Sequence, residues 1–182
     1  GHEKVYRLSK LYVNCPSAGG VFGALRENAM VTKIGVTDSS IISDATGGIA
    51  AEVTDNAVIS QCYNRSAISA RGTAESYVGG IAGKISRNGR IEDCYNMDST
   101  IASALTGSYK TGAGGIVGGI LVPIGANGGI RNSYSVGGTI RASSTGGSAE
   151  FGSIAGFTQS KAIKQCYTIS PGIGNDSSNG VN

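Results

Sequence analysis

Three cysteines are each followed directly by tyrosine, as Cys62-Tyr63, Cys94-Tyr95 and Cys166-Tyr167, while Cys15 stands apart. Thiols in such a pattern could pair as disulfides, hold zinc or act as nucleophiles. Zinc sites need Cys-x-x-Cys or closely spaced Cys and His ligands. Neither spacing occurs, and the single histidine is His2, followed by Glu3, Lys4, Val5 and Tyr6 rather than by a second ligand. A Ser-His-Asp triad fails for the same want of a placed histidine. Gly83-Lys84 has the ending of a phosphate loop, but Ile85 stands where Ser or Thr is needed and Val78 where the first glycine belongs. Paired carboxylates could cleave glycosidic bonds. Glu92 with Asp93, and Glu52 with Asp55, are the candidates. Neither pair recurs down the chain, and carboxylates stacked in register would repel. They read as solvated loop charges. No catalytic, metal or cofactor-binding residue is assigned, and no cofactor is expected.

The composition narrows the elements that could position any site. Thirty of the 182 residues are glycine, tryptophan is missing, and 15% of residues are charged. That is too glycine-rich for a helical protein and too uncharged for a typical disordered one. Ile, Val, Thr and Tyr occur in short runs, so the class is all-β. A formal charge of +3 with scattered Lys and Arg gives no footprint for nucleic acid. The apolar stretch at residues 114–126 is too short to span a bilayer and contains Pro123, so no membrane insertion is expected. The chain begins at Gly1 without Met. It is expected to be a piece of a longer protein, with Gly1 the remnant of a tag.

The organising feature is an internal repeat. A Gly-Gly-apolar start falls at Gly19, Gly47, Gly79 and Gly114, and in altered form at Gly152, at intervals of 28, 32, 35 and 38 residues. Downstream comes an aliphatic residue, two polar residues, a small or apolar residue and usually Tyr. This signature begins at Val31, Ile59, Ile91, Ile130 and Ile163, with Leu8-x-x-Leu11-Tyr12 as a sixth, partial copy. A third column follows at Ile41, Ile68, Ile101, Ile140 and Ile173. Each copy is too thin to bury a core alone, so copies must stack with like strands parallel, about 4.8 Å apart. The predicted fold is a parallel β-helix (β-solenoid) of about three short strands per coil and five to six coils. Residues 1–18 form a partial coil or cap, 19–174 the repeats, and 175–182 a flexible exit. Glycine is expected to make the corners, often at positive φ, and to keep side chains small where the backbone turns near the core.

Strict alternation cannot bury both the Ile and the Cys of Ile-x-x-Cys-Tyr. Either a bend lies between them, or Tyr faces in and Cys out. Cys inside is favoured, because Leu11 and Ile34 share its column. Aligned cysteines would keep their Cβ atoms nearer about 4.8 Å than the roughly 3.8 Å of a disulfide, so buried free thiols are expected.

The pattern Gly-Gly-Ile-Ala-Gly, then Ile-x-x-Cys-Tyr-Asn, resembles the GLUG-motif repeat of large bacterial surface proteins, which also occurs in IgA-specific metallopeptidases of the zinc class. The match is closest at residues 79–96 and extends in weaker copies over 19–173. The resemblance implies a stalk, adhesin-like region or ancillary portion of a cell-surface or secreted protein, outside the cell. It carries over no catalytic residue, since the His-Glu-x-x-His motif is missing. A polysaccharide-cleaving β-helix and an ancillary protease domain stand as alternatives.

The column Tyr12, Tyr63, Tyr95, Tyr134 and Tyr167 suits either an aromatic platform or a stabilising stack. Loops at 69–78 and 102–113 follow the third strand in consecutive copies and should emerge on one side. Arg71, Tyr77, Tyr109 and Lys110 there, with Leu121 and Val122 of the apolar insertion at 121–129, are the candidate partner-binding residues. The expected partner is a host protein or a glycan. Asn64-Arg65-Ser66 also matches a glycosylation sequon. An open end of such a fold exposes unpaired backbone, so weak end-to-end self-association through the C-terminal end is expected.

Overall fold

A computed structural model describes residues 5–72, 74–121, 127–159, 162–169 and 172–175. These residues form 23 strands and no helix, arranged in one thirteen-stranded and two five-stranded sheets. The strand pairings are parallel throughout the three sheets. The protein is all-β with a β-helix-like path, and one copy shows it. Ala82–Ile85 lies in one small sheet and Arg90–Glu92 in the other; Tyr95–Met97, Thr100–Leu105 and Thr111–Gly114 then cross the large sheet. The next copy repeats the path one layer on. Where about three strands per copy were expected, there are three sheets, and the large one takes up to three segments of each copy.

The columns read from the sequence are real ladders. Val31, Ile59, Ile91, Ile130 and Ile163 are successive partners. So are Ile41, Ile68, Ile101, Ile140 and Ile173, and Gly47, Gly79, Gly114 and Gly152, whereas Gly19, expected to open the glycine column, pairs with Thr46 after a bulge. β-Branched side chains suit this placement, each packing on its like in the layer below. Ile59, Ile91 and Ile130 are sealed from solvent, and one continuous apolar cluster runs through the layers.

The first copy departs from the expected alignment. Leu8 pairs with Val36 and Tyr12 with Ser40, so Tyr12 lies outside the tyrosine column. Arg7 occupies that column instead, opposite Gly35. The Leu-x-x-Leu-Tyr spacing matched by coincidence of apolar residues, while the observed register is set by seating Val13 on Ile41.

The corners also differ from expectation. Among the described residues only Gly107, Gly129, Gly137 and Gly138 are glycines at positive φ. Most left-handed positions hold polar side chains. Lys33, Gln61, Asp93, Asn132 and Gln165, at φ between 48 and 60°, form one such column immediately before the Cys column. This is the bend that buries both Ile and Cys. A second column, Glu27-Asn28, Asp55-Asn56 and Arg87-Asn88, has two positive φ values in succession. The amide of Ala57 donates to the Thr54 carbonyl at 2.9 Å, and that of Gly89 to Ser86 at 2.9 Å, closing type I′ turns. Asn and Asp tolerate this conformation better than most residues, which explains the recurring Asn.

The paired glycines serve closeness instead. A Cβ on Gly79 would lie 2.1 Å from the Ala82 carbonyl oxygen. One on Gly80 would lie 2.3 Å from the Gly115 carbonyl oxygen and 2.5 Å from Oδ1 of Asn96.

Ile91 has partners above and below, whereas Ile163 at the last layer is 37% exposed. Ile91→Ala should lower the unfolding free energy by about 2–5 kcal/mol in urea titrations. Ile163→Ala should cost clearly less. Equal costs would contradict the layered core.

Candidate functional site

The cysteine column has a chemistry that sequence reasoning missed. All four cysteines are free, and Cys62 and Cys94 are buried. The Cys94 thiol donates to the Glu92 carbonyl at 3.1 Å and accepts the Cys62 amide at 3.4 Å. Ser133 does the same one layer on: its hydroxyl donates to the Arg131 carbonyl at 2.7 Å and accepts the Cys94 amide at 3.2 Å. From Cys62 onward the column holds a small donor–acceptor that spans the left-handed bend, so serine can replace cysteine there; Ile34 holds the position one layer earlier. Burial pushes the Cys94 thiol well above its ordinary range, with its contact to Cys62 adding to the shift. Such a thiol is a poor nucleophile.

Tyr63, Tyr95, Tyr134 and Tyr167 form a face-to-face stack. Ring centroids are 5.0, 5.1 and 5.0 Å apart, with planes within 10° of parallel. The inner rings have neighbours on both faces, and Gly35 leaves room for the first: a Cβ there would lie 2.1 Å from Cζ of Tyr63. Sugars bind aromatic side chains through a ring face, so the stack holds layers together rather than offering a platform. Burial, and then the neighbouring phenols, raise the Tyr95 pKa above its ordinary value. Inside the tyrosine column runs a polar ladder. Asn64 donates through Nδ2 to Oδ1 of Asn96 at 2.9 Å and to the Ser99 hydroxyl at 3.0 Å. Asn64 is fully buried, so its sequon is sealed.

The proposed partner-binding residues separate. The supposed loops are mostly strand, within Tyr63–Gly72, Ser76–Gly79, Thr100–Leu105 and Thr111–Gly114. The connections that remain are stacked, since the Thr106 amide donates to Gly72 and the Ser76 amide to Lys110, each at 3.1 Å. Arg71 is exposed there, and Tyr109 is 56% exposed. Tyr77, by contrast, is only 3% exposed and cannot serve as a contact surface. Its ring fills the space left by two glycines; a Cβ on Gly119 would lie 2.5 Å from it and one on Gly112 3.0 Å. Its hydroxyl donates to Glu75 at 2.7 Å, and its ring centroid lies 6.4 Å from that of Phe157. Lys110 Nζ sits 3.2 Å above the Phe157 ring and 2.8 Å from Glu150. The structure thus brings Tyr77 and Lys110 together around Phe157 and Glu150, as a packed cluster with Tyr109 and Arg71 outside it. Leu121 is half-buried just past the end of the strand Val117–Ile120, with its amide donating to the Ile85 carbonyl. Val122 lies outside the described residues.

Three of the four carboxylate candidates lie beside cations, and the fourth, Asp93, is held by an amide. Glu92 lies 3.5 Å from Arg90 and 4.0 Å from Arg131, while Asp93 accepts a bond from Asn132 at 3.2 Å. Glu52 is 3.4 Å from both Arg26 and Lys84, and Asp55 is 3.5 Å from Arg87. Glu52 and Asp55 line a polar cleft with Arg26, Thr54, Ser86 and Arg87. Its charges are internally matched.

No protein-family model and no curated protein matches this chain. Among solved structures it is similar to one from Bacteroides ovatus, described as a "putative immunoglobulin A1 protease", at 20% identity and a TM-score of 0.57. The match covers 93% of this chain and 59% of that one, so the chain spans about three fifths of the neighbour's length. At that identity the likeness concerns the fold.

Burial, and then the bond and charge of Glu75 and the charge of Glu150, raise the Tyr77 phenol far above its usual pKa. The folded state keeps this proton where the unfolded chain, titrating near about 10, has lost it. The contribution is intact below that pH and declines as pH rises beyond it. Melting curves between neutral and strongly alkaline pH should show the loss, and Tyr77→Phe should flatten it. An unchanged slope would contradict the assignment.

Proposed function

We infer that this chain is a non-catalytic repeat segment of a bacterial surface or secreted protein, built as a parallel β-solenoid. It serves as an ancillary, spacer-like part of the parent molecule. The observation carrying this reading is the in-register stacking of the isoleucine, glycine and tyrosine columns from the second copy onward, as expected of a rod whose length grows with copy number. The GLUG-like signature and the fold shared with the Bacteroides ovatus protein both support the ancillary setting, since no zinc-ligand pattern accompanies the repeats. The location implied is extracellular.

A second reading, an adhesin-like binding surface, draws on the exposed Arg71 and Tyr109 beside the stacked connections. A host protein or glycan would be its partner.

Incubation with a panel of polysaccharides and with immunoglobulin A1 should release no new reducing ends and no fragments. Turnover that Glu92→Gln abolishes would replace this reading with a carbohydrate-active enzyme. Glycan or host-protein binding lost in Tyr109→Ala with folding intact would favour the adhesin-like role.

A further inference from the structure

Tyr63, Tyr95 and Tyr134 stand on the outer face of the large sheet, because the residues after them, Asn64, Asn96 and Ser135, are buried. All three rings are half-buried, and side chains rising from a strand carry their hydroxyl ends furthest from the sheet. Each of these tyrosines is the backbone partner of the next. Neighbouring rings lie 5.0 and 5.1 Å apart, with planes within 5° of parallel. Equivalent ring carbons of adjacent layers are therefore held opposite one another. The chain has no tryptophan, and Cys62 and Cys94 are sealed from solvent. Met97 shares the face, but a thioether takes up an oxygen atom on oxidation, which gives a product of different mass. The stacked phenols are the reachable one-electron donors here.

We propose that this column is an oxidative cross-linking site, where a one-electron oxidant joins tyrosines of adjacent layers as dityrosine. Each of two neighbouring phenols loses one electron and its hydroxyl proton, giving two phenoxyl radicals. The radicals couple through the ring carbons beside their oxygens, forming one carbon–carbon bond. Each coupled carbon gives its hydrogen to solvent while its oxygen takes one back, which restores both phenols. The pair ends two hydrogens lighter, and the oxidant has accepted two electrons. Stacking favours the coupling because the partners are already neighbours in a fixed orientation. Rotation about the Cα–Cβ and Cβ–Cγ bonds brings the ring edges together while the backbones keep their ladder spacing of about 4.8 Å. Tyr95 has a ring on either side and couples to Tyr63 or to Tyr134. Tyr63 and Tyr134 lie two layers apart and do not join. The new bond ties layers distant in sequence, as a disulfide would, and no thiol reagent opens it.

Photo-oxidation of dilute protein by tris(bipyridyl)ruthenium, with persulfate as the terminal electron acceptor, tests this. The monomer is then isolated and its peptides are mapped by mass. It should be two hydrogens lighter, show dityrosine fluorescence and yield peptides joined at Tyr63 and Tyr95 or at Tyr95 and Tyr134. Tyr95→Phe keeps a ring in the stack but has no phenol to oxidise. With its folding checked by circular dichroism, it should lose both links and gain none between Tyr63 and Tyr134. Unfolding in urea before illumination should abolish the preference for these pairs. A monomer without dityrosine overturns the proposal. So does cross-linking confined to the exposed Tyr6, Tyr12 and Tyr109, or an equal yield of the neighbouring pairs in urea.

Discussion

The closeness of successive layers at the paired glycines governs the rest of the molecule. At Gly80 the chain passes within a Cβ's reach of the Gly115 carbonyl above it and of the buried Asn96 amide beside it. The same relation recurs at Gly48 with Asn64 and at Gly115 with Ser135. In the second, third and fourth copies only a residue without a side chain lets the first segment close onto the large sheet, while the last copy has Ser153 at the equivalent position. Once that approach is made, the isoleucine ladders fall on one axis and share an interior. The cost is conformational entropy in the unfolded chain, since glycine loses more freedom on folding than any other residue. Continuous burial of Ile and Val across the layers offsets it.

Polar groups in this interior follow the same logic of repetition. A buried amide is costly unless paired, and the neighbouring layer supplies a partner for the Asn64 Nδ2 in Asn96, while the Asn64 Oδ1 is buried without a hydrogen bond. The thiol and hydroxyl column closes each left-handed bend in the same way, one bond within its own layer and one from the next. These side chains resemble chemistry when read singly. Read as columns, they are corner supports. The stacked tyrosines belong with them, spending their faces on one another.

Much of this was legible in the sequence because stacking copies converts spacing into position. The Ile columns, the Gly-Gly column and the tyrosine stack from Tyr63 to Tyr167 could be read without coordinates. The first copy could not, since Leu8, Leu11 and Tyr12 satisfy two registers and only tertiary pairing chooses between them. The reason for the glycines was half legible: proximity was foreseen, but the left-handed corners went to Asn, Asp, Gln and Lys. The Asn at 28, 56 and 88 was the available signal. The candidate surface was least legible. Tyr77 and Tyr109 carry the same side chain, yet one fills a gap over Gly112 and Gly119 while the other faces solvent.

Gly23 offers a control for the central constraint, because a Cβ there would approach nothing closer than 3.9 Å. The urea midpoint of Gly80→Ala set against that of Gly23→Ala is the most direct measurement. The account predicts severe destabilisation at position 80, with position 23 unchanged or stabilised by roughly 0.4–1 kcal/mol. Equal midpoints for the two variants would contradict it, since layers that do not press together at Gly80 would accept the extra methyl group.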